Sequence, residues 1–175
     1  TASQVYFDLR NRPFVRTSGG IVTRREDRWS PSHAGDNFGV ASSKIAFDRD
    51  NHVYLLATAG RTAALLHSSD GGETFATCAL PGRAGQSSAY DVEAFTGHNV
   101  PDGPPPILRY TRTAKDEQLF WRSLNDLELF LPKRVDSRLV PGEPILISTQ
   151  CIGLASHSGI PASVVSKGSK VHVVW

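Results

Sequence analysis

The feature that most constrains this 175-residue chain is the octet Ser68-Ser69-Asp70-Gly71-Gly72-Glu73-Thr74-Phe75. It follows the apolar run Ala63-Ala64-Leu65-Leu66. A carboxylate at Asp70 accepts hydrogen bonds from the backbone N–H groups of its own turn. Gly72 supplies a backbone conformation that a side chain would oppose. Ser68 and Thr74 face each other across the reversal, and Phe75 packs inward behind it. An Asp-Gly hairpin alone is a common turn; five fixed positions placed directly after an apolar run describe a more particular one, closing two antiparallel strands.

Around this turn the chain repeats. Residues 43–57 place two apolar runs on either side of Asp48-Arg49-Asp50-Asn51, the pattern of a hairpin. Residues 161–175 repeat it, with Val164-Val165 in the place of Ala46-Phe47 and His172-Val173-Val174 in that of Tyr54-Leu55-Leu56. A looser copy runs from Asp91 to Phe95 and resumes at Ile107-Leu108-Arg109-Tyr110-Thr111 after a Gly/Pro-rich connection. The strand starts near Ile45, Val92 and Val164 are separated by about one to one and a half times the ~40 to 50 residues of a four-stranded propeller blade. Outer strands are expected over 63–68 and 74–80 in one unit. In the next they are expected over 119–123, then over 127–133 or 144–148. The leucines and aromatics of 116–130 also admit an amphipathic helix. Residues 1–37 read as an N-terminal arm or as the outer strands of a preceding blade, and 38–175 as the blades themselves.

Composition narrows the functional classes. The balance is that of a folded chain, 39% hydrophobic and 21% charged, with fifteen glycines and eleven prolines spread along it. No segment approaches the roughly 18 apolar residues that span a bilayer, so no membrane partner is expected. A net charge of +2 lacks the basic excess of nucleic-acid binders. Arginine is nonetheless concentrated early, at Arg10, Arg12, Arg16, Arg24, Arg25 and Arg28. Its planar fork suits carboxylates, sulfates and phosphates, while the plainer reading is surface charge paired with Asp8, Glu26 and Asp27. Cys78 and Cys151 lack zinc-site spacing and read equally as buried thiols or as one bridge. With no methionine, even at position 1, the chain is expected to begin at a processing boundary, consistent with a secreted or periplasmic protein.

The octet matches all five fixed positions of the Asp box, S/T-x-D-x-G-x-T-W/F, and in this it resembles the sialidase-like β-propellers. Within that group, residues 59–66, 95–99 with Pro104-Pro105-Pro106, 142–146 and 157–163 resemble the propeller lyases that cleave ulvan, over roughly 38–175. The resemblance implies an all-β chain of four-stranded antiparallel blades, seven in the family and about three here, with the remaining blades outside this chain because two or three cannot close a ring. It implies that Asp boxes sit on the face away from the active site, leaving Asn37, Arg61, Tyr90 and His157 toward the opposite face.

The implied chemistry is β-elimination at C4 of a uronic acid in an acidic, sulfated polysaccharide, without cofactor or metal. The uronate carboxylate must be neutralised, which Arg61 would do, with Asn37 as a further substrate contact. A base must take the C5 proton and an acid protonate the leaving oxygen. His157 is the expected base and Tyr90 the expected donor, and each also reads as an ordinary strand residue. The family's pair of catalytic histidines has no clear counterpart here and is expected beyond Trp175. Two alternatives share these features: a sialidase-type glycoside hydrolase, though the Arg-Ile-Pro segment that opens such domains is missing, and a non-catalytic glycan-binding propeller.

Overall fold

A computed structural model describes residues 2–17, 20–32, 39–59, 62–82, 88–92, 100–115, 122–154 and 162–175. Every regular element among them is a strand. Three four-stranded antiparallel sheets follow one another along the chain. The first contains β1 (Ala2–Phe7), β2 (Pro13–Thr17), β3 (Gly20–Arg25) and β4 (Arg28–Pro31), paired in that order. The second contains β5 (Gly39–Phe47), β6 (Val53–Ala59), β7 (Thr62–Ser68) and β8 (Ala76–Ala79), also in order. The third pairs β9 (Ser88–Val92), β10 (Ile107–Lys115), β11 (Arg122–Phe130) and β14 (Ile145–Leu154). Between β11 and β14 it sends out a hairpin of β12 (Lys133–Val135) and β13 (Arg138–Val140). A last hairpin joins β15 (Ser163–Lys167) to β16 (Lys170–Val174). None of these sheets closes on itself.

The two hairpins legible as repeats form where the sequence places them, as do β7 and β8. The outer strands of the third sheet differ in part: β11 runs through Arg122–Phe130 as one strand across the expected 119–123 and 127–133, while the fourth strand, Ile145–Leu154, takes the 144–148 alternative and extends it. The helical alternative does not hold at 122–130 because the apolar residues there serve two opposite faces. Leu127 and Leu129 enter one core cluster and Phe130 another, an alternation only a strand provides.

That alternation builds the whole interior. Tyr6, Phe14 and Ile21 of the first sheet pack against Ile45, Phe47, Val53, Leu55 and Leu66 of the second. The second sheet's other face, with Ala46, Tyr54, Leu56 and Leu65, packs against Val92, Ile107 and Phe130 of the third. The third sheet in turn turns Leu108, Tyr110, Leu127 and Cys151 toward Val164, Val171 and Val173 of the last hairpin. The inner strands of the second sheet are thus buried on both faces, which is why 45–47, 53–57 and 63–66 read as nearly continuous apolar runs. Each sheet is the lid of the one before it.

Candidate functional site

The strand registers give the stack two distinct ends. At one end lie the turns 8–12, 48–52, 69–75, 100–102 and 168–169. They are joined sheet to sheet: Asn51 Oδ1 accepts from Leu9 N–H at 2.9 Å and Asn51 Nδ2 donates to Asp8 at 3.0 Å. Arg49 N–H donates to Pro101 O at 3.1 Å, its guanidinium lies 2.8 Å from Asp102, and Gly168 N–H donates to Val100 O at 3.2 Å. The turns 8–12 and 48–52 are built alike. Asp8 Oδ1 accepts from the N–H groups of Arg10 and Arg12, and Asp48 Oδ1 from those of Asp50 and His52. Asn11 and Asn51 take the left-handed conformation in both, with φ of 58° and 64°.

The octet closes β7 onto β8 at this same end. Ser68 Oγ donates to Asp70 Oδ1 at 2.6 Å and accepts from Gly72 N–H at 2.7 Å. Asp70 also accepts from the N–H groups of Glu73 and Thr74 and from the Thr74 hydroxyl at 2.5 Å. Gly72 has φ of +85°, and a Cβ there would lie 2.9 Å from the Phe14 ring of the first sheet, so a side chain is opposed twice. Phe75 packs behind the turn on the cluster of Phe14 and Phe47. Two early arginines join it: Arg12 pairs with Asp8 while lying over Gly71, and Arg25 reaches Glu73 at 3.2 Å. Arg24 pairs with Asp27.

Burial raises the Asp70 carboxyl, but the hydrogen bonds from Ser68, Thr74 and Glu73 outweigh it and hold the group at about 2, against an ordinary 3.8. A pKa depressed in the folded state contributes stability that is full above 3.8 and lost as pH falls through about 2. Asp70→Asn is expected to lower unfolding stability by about 1–2 kcal/mol, less than the sum of its bonds because the turn is exposed. Urea melts at about pH 5 and about pH 2 check this, since wild type and variant should converge in acid.

A second cluster sits beside it, where Asp48 is fully buried. Its Oδ2 accepts from the Tyr54 hydroxyl at 2.7 Å and lies 3.2 Å from both His52 Nδ1 and Arg134 Nη2. Arg134 comes from β12 and also reaches Asp50 at 3.0 Å, with Nη1 against His52 Nδ1. One donor atom each from Asp48, Asp50 and His52 lie within 4.8 Å of one another, close enough to share one cation; here that cation is the Arg134 guanidinium. The ring of His67, paired in register with Tyr54, stacks on it at 5.0 Å and meets His52 edge-on at 5.0 Å. Burial and the charge of Asp48 push the Tyr54 phenol far up. Sequence reasoning singled out none of these as functional. Asp-x-Asp-x-His at 48–52 was the available signal, but Arg134 lies 82 residues from His52 and no local pattern announces it.

Among the expected site residues, Asn37, Arg61 and His157 lie outside the described residues. Tyr90 is on β9, half-buried, in register with Arg109 of β10, which is in register with Glu128 of β11. Its hydroxyl donates to Pro81 O at 2.9 Å, an oxygen that Arg109 Nη1 also contacts. Arg109 Nε donates to Glu128 Oε2 at 2.7 Å, and its guanidinium lies over Phe130 at 4.8 Å. Tyr90 thus belongs to a cross-strand row facing the second sheet. Cys78 and Cys151 are separate buried thiols, not a bridge, and burial raises both. No family model matches the chain, nor does any curated protein or solved structure.

Proposed function

We propose that the stacked sheets are an arc of a sialidase-like β-propeller, and that the protein is a secreted or periplasmic polysaccharide lyase. It would act by β-elimination on a uronic-acid-containing, sulfated polysaccharide such as ulvan. Four-stranded sheets paired in chain order and packed face to face support the propeller reading. So does the octet, whose fixed residues are bonded to one another as an Asp box requires.

The observation that carries the functional reading is the division between the two ends. The strand ends that flank positions 37, 61 and 157 are Gly39, Ala59, Thr62, Leu154 and Ser163. By register, all lie opposite the end that carries the Asp70 turn. Loops on a rigid scaffold are where catalytic groups concentrate. A cation at 61 neutralises the uronate carboxylate, and an imidazole at 157 takes the C5 proton.

Incubating the protein with ulvan tests the reading. Ultraviolet absorbance of the conjugated, unsaturated uronate should rise with time. Release of a terminal sugar without that absorbance would favour the hydrolase instead, and retention on ulvan with neither signal would leave a binding propeller.

A further inference from the structure

Three turns at the bonded end of the stack meet around a cavity of about 120 Å³. Arg10 and Arg12 line it from the turn 8–12, Asp50 and Asn51 from 48–52, and Ser69 and Asp70 from 69–75. No apolar side chain takes part. The volume is well below the roughly 300 to 1,000 Å³ of sites for drug-sized ligands, so it suits one small unit.

Most of the lining groups are already engaged. Asn51 spends its oxygen on Leu9 N–H and its amide on Asp8. Asp70 accepts on both oxygens from Ser68, Glu73 and Thr74. Arg12 is fixed, since its Nε and Nη2 donate to Asp8 Oδ2 at 3.1 and 2.9 Å while the guanidinium lies 5.4 Å from the centre of the Phe14 ring. Asp50 gives Oδ2 to Arg134. What remains is Arg12 Nη1, Asp50 Oδ1, and the Arg10 guanidinium and Ser69 hydroxyl, which have no partner among the described residues.

We propose that this cavity binds an acidic sugar unit, whose carboxylate or sulfate ester is held by Arg10 and Arg12 and whose neighbouring hydroxyl is held by Asp50 and Ser69. The proposal takes the acidic polysaccharide inferred above as the source of that sugar. The site is a second one, at the other end of the strands from positions 61 and 157.

The unengaged groups select the ligand by charge and by count. Donors dominate and two side chains are cations, so an acidic group is required, and its bonds to guanidinium are charge-assisted. A bare oxyanion leaves Asp50 Oδ1 facing negative charge. A metal ion is repelled by Arg10 and Arg12. A neutral sugar satisfies Asp50 and Ser69 but leaves Arg10 without a counter-charge. A sugar that carries an acidic group answers both sets, because its hydroxyls donate as well as accept. The Asp8 clamp orients Arg12 in advance, so of the two cations only Arg10 has to be ordered on binding.

The placement sets what the site can do. With its seven residues, β6 spans about 23 Å at ~3.3 Å per residue. A sugar held at the turn end is therefore out of reach of positions 61 and 157. It is a holding point, which raises the effective concentration of the rest of a long chain at the opposite end.

Titration of the ¹⁵N-labelled protein with free glucuronate, followed by NMR, tests this without any cleavage step. Amide signals of Arg10, Asn51 and Ser69 should shift saturably. Glucose and inorganic sulfate should each bind at least about tenfold more weakly, and glucose 6-sulfate separates a sulfate ester from a carboxylate. Arg10→Ala should weaken glucuronate at least about tenfold and Ser69→Ala about two- to tenfold. Both should leave the remaining spectrum unchanged, since neither side chain bonds to the protein among the described residues; Arg10→Gln, which keeps the chain length, replaces Arg10→Ala if that variant does not fold. Shifts confined to other residues, undiminished binding in the Arg10 variant, or sulfate or glucose binding as tightly as glucuronate overturns the site. Binding here without activity on ulvan keeps the site and dismisses the lyase, and cleavage of ulvan without these shifts does the reverse.

Discussion

Arg109→Ala is expected to lower the free energy of unfolding by about 3–5 kcal/mol, because it leaves the nearly buried Glu128 carboxylate without the guanidinium 2.7 Å away. The same change removes the cation over Phe130 and a contact to Pro81 O. Arg109→Met/Glu128→Leu should recover most of the loss, since an apolar pair of similar volume avoids the desolvation of both ions. Denaturant unfolding of the three proteins decides it. A double variant as unstable as the single one would show that the row is needed for the packing of the second and third sheets and not merely for its own charge balance.

The second large effect belongs to the proposed chemistry. If position 157 supplies the base, His157→Ala should lower turnover on ulvan by about two to four orders of magnitude while substrate binding persists. Arg61→Ala should act through binding, by about tenfold to a hundredfold, the worth of one charge-assisted contact to a carboxylate or sulfate. Turnover and KM measured separately distinguish the two. Equal small losses in both variants would make His157 a ligand only, and full activity in both would move the catalytic groups elsewhere.

How much could be read in advance depended on whether the signal was local. The Ser68 to Phe75 turn is made of bonds spanning two to four residues, so each partner is visible from the other in the sequence. The hairpin at 43–57 was legible for the same reason, since both of its strands are buried on two faces and joined by an Asx-type turn. Its twin at 8–12 escaped notice, although Asp-x-x-Asn is present in both, because the apolar runs beside it are short, Val5-Tyr6-Phe7 and Phe14-Val15, with Arg16 following. The fourth strand of the third sheet was legible only as one of two alternatives, 127–133 or 144–148, and short of its full length, for a different reason. The β12–β13 excursion interrupts the spacing, and β14 bulges twice against β11, which breaks the period of two that marks a strand. The Arg134 cluster was out of reach, since its residues are neighbours only once the second and third sheets have met.

The face-to-face interfaces join each sheet to the next one in the chain, and the strand pairs inside every sheet join neighbours in sequence apart from the step over β12–β13. A polypeptide connected this way never has to wait for a distant segment in order to complete a unit. Entropy is spent on short closures first. Each finished sheet then presents its successor with an apolar wall on which to condense, so order can spread from the N-terminal end during synthesis. Construction proceeds like courses of masonry, and an error in one course is carried only to the next.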